Sequence, residues 1–440
     1  MRITLITPAK EGEKVLNRSY FVPLSLMYLA AYTPDDVEVR IIDENLEKID
    51  FEDKPDLVGI TSMTATAMRA YEIADTYRSR GVKVVMGGIH ASMLPQEALE
   101  HADTVVIGEA ENIWPAVVED ADRGCLDPVY RMEDYDDFTD PLLPRRDLVN
   151  REHYWNANCI QTSRGCPHNC SFCSVTAFNG RHVRERKLDN LLAEIEEIPR
   201  NPVLRKRIVP FVDDNIAAHP RRAKELFKAL IPLKTLWGSQ ACINVGEDEE
   251  LVALAAESGC RLLFIGLETV SARSLQEMGK KQNKVEHYSR SLKTLRKHGI
   301  HVLGAFMFGF DSDHESIFAD TLDFALRNKL QMAQFSNLTP LPGTRLYEQM
   351  VAEGRVMEEY WLDKDRGNRT VFQPKNFSAE RLCEKTHEVQ RRFYSMRSIA
   401  KRFYFSRSLP NWLVFNLVYH RLSTTRSQLF KASDMVPGAV

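Results

Sequence analysis

Three cysteines in one short segment provide the clearest chemical signal in the chain. Residues 163–173 read Ser-Arg-Gly-Cys-Pro-His-Asn-Cys-Ser-Phe-Cys, so Cys166, Cys170 and Cys173 have the spacing C-x3-C-x2-C. Three thiolates in one loop could bind three irons of a [4Fe–4S] cluster, whose coordination normally uses four cysteines. Because no fourth cysteine lies at a fixed local spacing, one iron would keep an open position for a substrate or a second cofactor.

Two other interpretations of this segment remain open. A structural zinc site uses four Cys or His ligands, and His168 or His182 could complete such a set. The three cysteines could also lie close together by chance. We favour the cluster because the segment directly follows a predicted strand, and because Gly165 and Pro167 suit a loop that wraps around a bulky inorganic group.

Length and composition indicate an ordinary globular protein. The chain has 440 residues, 44% hydrophobic and 27% charged, which excludes a collagen, a coiled coil and a mainly disordered chain. A formal net charge of -3 gives no sign of a nucleic-acid partner. Eight cysteines are too few for a disulfide scaffold in a chain of this length. The N-terminus lacks the features of a signal peptide, and no apolar run reaches the ~20 residues that span a bilayer, so we expect a cytoplasmic protein.

Residues 1–126 follow the pattern of a Rossmann-like α/β domain. Short apolar runs alternate with stretches of helical periodicity, such as Leu24 to Tyr32 and Ala65 to Arg78. Apolar runs without strict alternation are typical of strands buried on both faces of a parallel sheet. The predicted strands are Ile3 to Thr7, Val37 to Ile42, Leu57 to Thr61, Val82 to Met86 and Thr104 to Ile107.

A second alternating series follows residues 127–150, which are rich in Asp and Pro and predict a linker. This series occupies residues 151–372 and predicts a partial (β/α)6 barrel, with reactive groups at the carboxyl ends of its strands. Its predicted strands are Cys159 to Ser163, Ile208 to Asp213, Gly238 to Ile243, Leu262 to Leu267, Val302 to Phe308 and Ala333 to Leu338.

Residues 373–440 lose the alternation, and we predict a basic helical extension there. Between Arg381 and Lys431 there are eleven Lys or Arg and two Glu. The extension could cap the mouth of the barrel, which we favour, or contact an anionic membrane or a lipid substrate. Its aromatic residues include Phe393, Tyr394, Phe403, Tyr404, Phe405, Trp412, Phe415 and Tyr419.

The cysteine spacing after the first strand of a partial barrel resembles the radical S-adenosylmethionine superfamily, and Phe172 before Cys173 fits its usual form. The resemblance implies that the open iron binds the amino and carboxylate groups of S-adenosylmethionine. One electron, from a donor such as flavodoxin or ferredoxin, would then release a 5′-deoxyadenosyl radical that abstracts hydrogen from an unactivated carbon. The cofactors supply this reactivity, and the protein positions and shields them.

Residues at the ends of later barrel strands extend the resemblance. It implies that Glu268, after the fourth strand, lies near S-adenosylmethionine, although an acid at the start of the next helix is the alternative. Asp213 and Asp214 end the second strand and could face the cofactor or substrate, or cap the following helix. Gly309 ends the fifth strand and would permit close approach of a ligand. Thr339 after the sixth strand could line the adenine pocket or belong to a simple turn.

A Rossmann-like domain before this barrel resembles the cobalamin-binding branch of the same superfamily. Small residues at the ends of parallel strands would leave a slot for the nucleotide tail of cobalamin. Ordinary tight turns without a cofactor are the alternative. The candidate cobalamin-binding residues are Ser62, Thr64, Gly87, Gly88, Gly108 and Glu109.

One departure from the cobalamin-binding pattern concerns the cobalt ligand. Members with a protein ligand carry D-x-H-x-x-G after the first strand, whereas the loop from Pro8 to Lys14 has no histidine and the first histidine of the chain is His90. We expect His90 to be a hydrogen-bonding neighbour, because a histidine at a strand end more often has that role than that of a metal ligand. Many radical members lack this ligand, so cobalamin remains the expectation.

The resemblance implies cobalamin-dependent methylation of an unactivated carbon in a small-molecule or lipid substrate. An oxidative cyclase or another non-methylating radical enzyme is the first alternative, and a non-catalytic iron–sulfur or zinc module is the second. A methylthio-transferase of transfer RNA would need three further N-terminal cysteines, and that region has only Cys125. Cys242, near a strand end, is a candidate hydrogen donor or catalytic thiol, and a buried structural thiol is its alternative.

Overall fold

A computed structural model describes residues 1–10, 18–135, 137–363, 369–402 and 416–421. These residues form two parallel sheets with helices packed against them, followed by helices at the C-terminus. Several predicted features lie outside the described residues, namely Glu11 to Lys14 of the first loop, Asp136 of the linker, and Phe403, Tyr404, Phe405, Trp412 and Phe415 of the extension. None of the described helices is both long and apolar enough to cross a membrane.

The N-terminal sheet has six parallel strands in the order β3-β1-β4-β5-β6-β7. Its five predicted strands are present, and β7 adds a sixth strand inside the predicted linker. The elements are β1 (Arg2–Thr7), β2 (Ser19–Phe21), α1 (Leu24–Ala31), β3 (Glu38–Asp43), β4 (Leu57–Thr61), α2 (Ala67–Ser79), β5 (Lys83–Gly87), α3 (Gly88–Met93), α4 (Pro95–His101), β6 (Thr104–Ile107), α5 (Trp114–Asp122) and β7 (Val129–Arg131).

Burial on both faces explains why these strands are continuous apolar runs. One face packs on α2, with Ala70, Ala74 and Tyr77 in its core, and the other packs on α1 and α5, with Leu26 and Trp114 in its core. With helices on both faces, the strand ends at the carboxyl edge remain the places where a ligand can approach.

The linker leads to the first barrel strand, which is shorter than predicted. Residues 159–163 do not form one continuous strand. Ile160 alone forms a parallel bridge with Phe211, and β9 (Ser163–Arg164) then pairs antiparallel with β10 (Arg184–Glu185). The chain leaves the barrel sheet early because it must turn into the loop that carries the three cysteines. Before this, β8 (Tyr154–Asn156) pairs with β2.

The barrel sheet consists of five parallel strands in the order β11-β12-β13-β14-β15, with the Ile160 bridge on its first edge. The sequence predicts each of these strands, with ends that differ from the observed ones by at most three residues. The elements are α6 (Ser174–Phe178), α7 (Leu188–Glu197), β11 (Arg207–Pro210), α8 (Pro220–Leu230), β12 (Thr235–Ala241), α9 (Glu249–Ser258), β13 (Cys260–Glu268), α10 (Ala272–Glu277), α11 (Val285–Lys297), β14 (His301–Phe308), α12 (Ser316–Arg327), β15 (Met332–Asn337) and α13 (Arg345–Ala352).

The chain after the barrel packs against both sheets. Tyr360, Trp361 and Val371 are buried in the core formed by α2. Then α14 (Ala379–Phe393) and α15 (Met396–Arg402) pack on the barrel, where the Tyr394 hydroxyl donates to the Ala333 carbonyl at 2.8 Å. The described part of the extension is therefore helical, as predicted.

Candidate active site

The cysteine loop, residues 165–183, is closed at its base by β9 and β10. Its first residue, Gly165, has φ +89°, and a Cβ there would lie 2.4 Å from the His182 carbonyl oxygen. Only glycine accepts this conformation at such a close approach. The glycine before Cys166 therefore sets the direction in which the loop begins.

Two aspartates after β11 hold the start of this loop. Asp213 is fully buried, and its Oδ1 accepts hydrogen bonds from the Thr162 hydroxyl at 2.8 Å and the Ser163 hydroxyl at 2.7 Å. Asp214 Oδ2 accepts from the Gly165 amide at 3.2 Å. Burial raises the pKa of both carboxyls to about 6. Both side chains thus contact the chain around the cysteine loop, and neither caps the following helix.

The three loop cysteines lie near one another in a largely buried region. Burial is the main cause that raises the pKa of Cys166 and of Cys173 to about 12, and the neighbouring thiolates add to it. Cys170 is buried, and Gln282 Nε2 lies 3.7 Å from its sulfur. A bound cation or cluster would stabilise the thiolates of Cys166 and Cys173 against these effects. Within the described ranges, no three His, Cys, Asp or Glu side chains are placed so that together they could hold a metal ion.

Cys242 joins this group from the end of β12. It lies close enough to Cys166 and Cys170 for their charges to interact, and burial raises its pKa to about 11. Its sulfur accepts a hydrogen bond from Asn215 Nδ2 at 3.5 Å. The residue predicted from its position at a strand end is therefore beside the cysteine loop.

Glu268 forms a buried ion pair with Lys280, a residue that sequence reasoning missed. Glu268 ends β13 with φ +65°, a rare value for a residue other than glycine. Its carboxylate accepts from Lys280 Nζ, and the ammonium lies 5.8 Å from the ring centroid of Phe172 in the cysteine loop. Lys280 stands in the polar run Gly-Lys-Lys-Gln-Asn, which carries no signal that distinguishes it from an exposed turn.

The contacts of the other two strand-end residues of the barrel, Gly309 and Thr339, are with residues outside the cysteine loop. Gly309 has φ +110°, and a Cβ there would lie 2.8 Å from Leu382 of α14. Close packing by that helix accounts for this glycine. Thr339 is exposed, and its hydroxyl donates to the Asn337 carbonyl at 3.4 Å.

In the N-terminal domain, the predicted residues meet at the carboxyl edge of the sheet. The Ser62 hydroxyl donates to the Gly87 carbonyl at 3.4 Å, and Gly88 has φ +89° with Thr61 Oγ1 only 2.7 Å from where its Cβ would be. Gly108 has φ +93° and its amide donates to Ser92 Oγ at 3.0 Å. Strand ends without bulky side chains are what the approach of a nucleotide tail requires.

His90 is a buried hydrogen-bonding residue, as expected. Its Nδ1 lies 3.3 Å from Oγ1 of Thr64, and its Nε2 lies 3.2 Å from Oε1 of Glu97. Glu97 also accepts from the Tyr71 hydroxyl at 2.6 Å and from Nε1 of Trp361 at 2.9 Å. Both ring nitrogens of His90 are thus engaged, and the network supports Thr64 from behind.

Glu109 contacts the barrel. Its Oε2 accepts from Arg164 at 2.9 Å and from Arg184 at 2.8 Å, while Glu111 accepts from Arg164 at 2.5 Å. Oε1 of Glu109 also accepts from Arg184, so both oxygens connect the N-terminal sheet to the base of the cysteine loop. The cofactor-binding role expected for Glu109 stays a prediction.

Known proteins resemble this chain in sequence and in structure. The radical SAM superfamily matches residues 160–325 and the B12 binding domain matches residues 18–118. Bacteriochlorophyllide d C-12(1)-methyltransferase of Chlorobaculum tepidum is 33% identical over 386 residues, 86% of this chain and 84% of the relative. The C-8(2)-methyltransferase of the same organism is 31% identical over 381 residues, 82% of this chain and 84% of the relative. The structure of the radical S-adenosylmethionine methyltransferase TsrM from Kitasatospora setae, with cobalamin and a [4Fe–4S] cluster bound, has a TM-score of 0.64 at 18% identity, covering 97% of this chain and 89% of that one.

Proposed function

The chain belongs to the radical S-adenosylmethionine methyltransferases with a B12-binding domain, and on this premise we propose that it methylates an unactivated carbon of an apolar small molecule held in the open barrel. It is an enzyme whose cofactors are a [4Fe–4S] cluster, S-adenosylmethionine and cobalamin. Together these cofactors supply a radical that activates the substrate carbon and a methyl group to transfer to it.

We assign the cluster to Cys166, Cys170 and Cys173. The observation that carries this assignment is their grouping in one buried loop, where burial and mutual repulsion keep the pKa of Cys166 and Cys173 high until a cation is bound. Asp213 and Asp214 position the loop. The Glu268–Lys280 pair lies beside it, where the charged groups of S-adenosylmethionine can be recognised.

We assign cobalamin to the carboxyl edge of the N-terminal sheet. The residues that lie there are Ser62, Thr64, Gly87, Gly88 and Gly108. The Ser62 and Thr64 hydroxyls can hydrogen-bond a nucleotide tail. Since no histidine precedes His90, the loop after β1 offers no imidazole to cobalt.

The inner face of the barrel supports an apolar substrate. Along β13 to β15 the partly exposed positions alternate with buried ones and fall on one face. Gly266, Ala305 and Gln334 lie side by side in register, and Phe264 with Leu303 form the next row. Among the described residues, Gln334 Oε1 is a buried acceptor without a hydrogen-bond partner. The partly exposed positions of β15 are polar, namely Gln334, Ser336 and Asn337. This lining therefore suits a mainly apolar molecule that presents a donor group to Gln334 and further polar groups to the end of β15.

The substrate class to test first is the bacteriochlorophyllide-type tetrapyrroles, since the two relatives named above act on bacteriochlorophyllide d. A lipid is the second class. The enzymes of this superfamily need a reductant, and we propose a flavodoxin or a ferredoxin in that role. A cytoplasmic location and contact of the C-terminal region with a membrane stay predictions.

Anaerobic reconstitution tests this function. The protein is first supplied with iron, sulfide and hydroxocobalamin. It is then incubated with a reductant, trideuteromethyl S-adenosylmethionine and each candidate substrate. We expect 5′-deoxyadenosine and a product that carries the trideuteromethyl group. A product altered without methyl gain would instead identify a cyclase or an oxidising enzyme. If neither 5′-deoxyadenosine nor bound corrinoid is found, the proposed function is wrong, and the remaining alternative is a non-catalytic iron–sulfur or zinc module.

A further inference from the structure

The two strands that close the cysteine loop bring two arginines face to face. β9 and β10 pair antiparallel, with Arg164 directly opposite Arg184. Like charges in this position destabilise a strand pair. Both side chains are also largely buried, with 10% and 9% of their surface exposed. The base of the cysteine loop therefore requires anions from elsewhere in the molecule.

These anions come from the loop after β6, which contains candidate cobalamin-binding residues. Glu109 accepts from Nη1 of both Arg164 and Arg184, and Glu111 accepts from Nη2 of Arg164. Two arginines and two glutamates give this group a formal charge of zero. Buried charges of this kind are tolerated when each has its counter-ion, and removing one leaves an uncompensated charge.

Aromatic rings from two further segments cover the two arginines. The Arg164 guanidinium lies 4.3 Å from the ring centroid of Phe138 in the linker and 5.7 Å from that of Tyr28 on α1. The Arg184 guanidinium lies 4.9 Å from the ring of Tyr135 in the linker. Such contacts stabilise the cations and reduce their access to water. The barrel, the linker and the N-terminal domain thus meet at one ionic centre.

We propose that Glu109, Glu111, Arg164 and Arg184, which we call the charge lock, couple cobalamin binding to the conformation of the cysteine loop. The inference rests on the proposed function, because it takes Gly108 as part of the cobalamin site. Gly108 and Glu109 are adjacent in the loop after β6. A cobalamin that fixes the loop after β6 therefore also fixes the Glu109 carboxylate between the two arginines. Because coupling between two sites is reciprocal, ordering of the cysteine loop raises the affinity for cobalamin by the same factor. Glu109 is thus a positioning residue that acts through Arg164 and Arg184.

Hydrogen exchange on the full chain without iron tests this coupling, with hydroxocobalamin as the probe. In the wild-type chain, cobalamin should slow exchange of residues 165–183 by about 5- to 150-fold, the usual range for coupling between two sites. In the Glu109→Gln variant, hydroxocobalamin should still bind but no longer slow exchange in the loop. With iron present, the magnetic coupling between cob(II)alamin and the reduced cluster, measured by pulsed EPR, should also change in this variant.

Glu194 provides a matched control. It too is a buried carboxylate between two arginines, accepting from Arg146 at 2.7 Å and from Arg186 at 2.6 Å. It lies on α7, and neither of its arginines is on β9 or β10, the two strands that close the cysteine loop. Glu194→Gln therefore removes a comparable buried charge and should leave the effect of cobalamin on residues 165–183 unchanged.

The outcomes separate this inference from the proposed function. Protection that persists in Glu109→Gln, or that is lost equally in Glu194→Gln, would overturn the charge lock while leaving the function intact. If Glu109→Gln does not fold, Glu111→Gln, which disturbs Arg164 alone, carries the same expectation. If the wild-type chain binds no hydroxocobalamin, both the proposed function and the charge lock are wrong.

Discussion

At the scale of single residues, the two aspartates after β11 act on the segment that carries the cysteines. Asp214 shows this most directly, since one carboxylate oxygen accepts from the Gly165 amide and from Asn179 Nδ2, both at 3.2 Å. These two donors lie at the start of the cysteine loop and within it. An acid at a strand end can therefore matter to a cofactor without contacting it.

Asp214→Ala should lower the iron content of the reconstituted protein well below that of the wild type. The reason is that the Gly165 amide would lose its acceptor, at a cost of about 1–3 kcal/mol for an unsatisfied buried donor, and the loop would lose its fixed start. Iron and sulfide assays measure the effect. Asp248→Ala is the control, because Asp248 caps α9 by accepting from the Leu251 amide at 3.0 Å, away from the loop. Equal iron loss in both variants would contradict the positioning role.

At the scale of elements, the sequence predicts long helices and strands more accurately than short ones. α11 and β14 were predicted to within one residue because their periodicity extends over many residues. In contrast, β7, β9 and β10 have two or three residues each, too few to show a period. They form only because neighbouring segments offer backbone partners, which a local pattern does not reveal.

The same distinction applies to the site. Cys166 and Glu268 could be found because they follow parallel strands, whose carboxyl ends meet at one edge. Lys280 and Arg184 come from segments without such a marker, and only folding shows that they face buried acids. For Gly309, the sequence indicated a close approach but not that α14 would be the approaching partner.

The helices α2, α3 and α4 share a polar network centred on the Glu97 carboxylate. The contribution of this charge to stability can be tested by changing the pH. Burial raises the pKa of Glu97, but hydrogen bonds from His90, Tyr71 and Trp361 outweigh it and hold that pKa below its ordinary 4.5. A carboxyl with a lowered pKa in the folded state stabilises the protein above its unfolded-state pKa, and this contribution is lost as the pH falls through the folded-state pKa.

Glu97→Gln should therefore lower the free energy of unfolding at neutral pH by about 1–3 kcal/mol, since the hydrogen bonds from Tyr71, His90 and Trp361 lose their charged acceptor. The variant should also lose less stability than the wild type below about pH 4.5, where the wild-type carboxyl takes up a proton. Urea unfolding at both pH values measures this. Glu100→Gln, an exposed change on the same helix, should match the wild type at each pH. A variant as acid-sensitive as the wild type would show that Glu97 is not the responsible group.

At the scale of the whole molecule, charge is distributed unevenly along the chain. Residues 1–127 contain twelve Lys or Arg and twenty-three Asp or Glu, whereas residues 381–431 have eleven basic and two acidic side chains. Part of that basic excess is paired or buried. Arg381 pairs with Glu315 of the barrel at 2.7 Å, and Arg402 is buried and donates to the Leu330 and Gln331 carbonyls, each at 2.9 Å. These contacts hold the described helices against β15 and the residues before it, and both the capping role and the membrane role stay predictions.

Removing the extension should destabilise the barrel itself. Leu382, Phe393 and Tyr394 are fully buried in the barrel core, and burial of each such side chain contributes about 1.5–3 kcal/mol. A chain that ends at residue 373 should thus lose roughly 5 kcal/mol or more, a large share of the 5–15 kcal/mol that usually stabilises a domain. Thermal unfolding compares it with a chain that ends at residue 421, which keeps every described helix.

Because this truncation also removes core residues, binding to membrane vesicles needs a separate variant. In that variant the exposed residues Arg391, Arg397 and Lys401 are changed to Gln. Equal unfolding temperatures for the two truncated chains, together with loss of binding to anionic vesicles in the triple variant, would favour the membrane role instead.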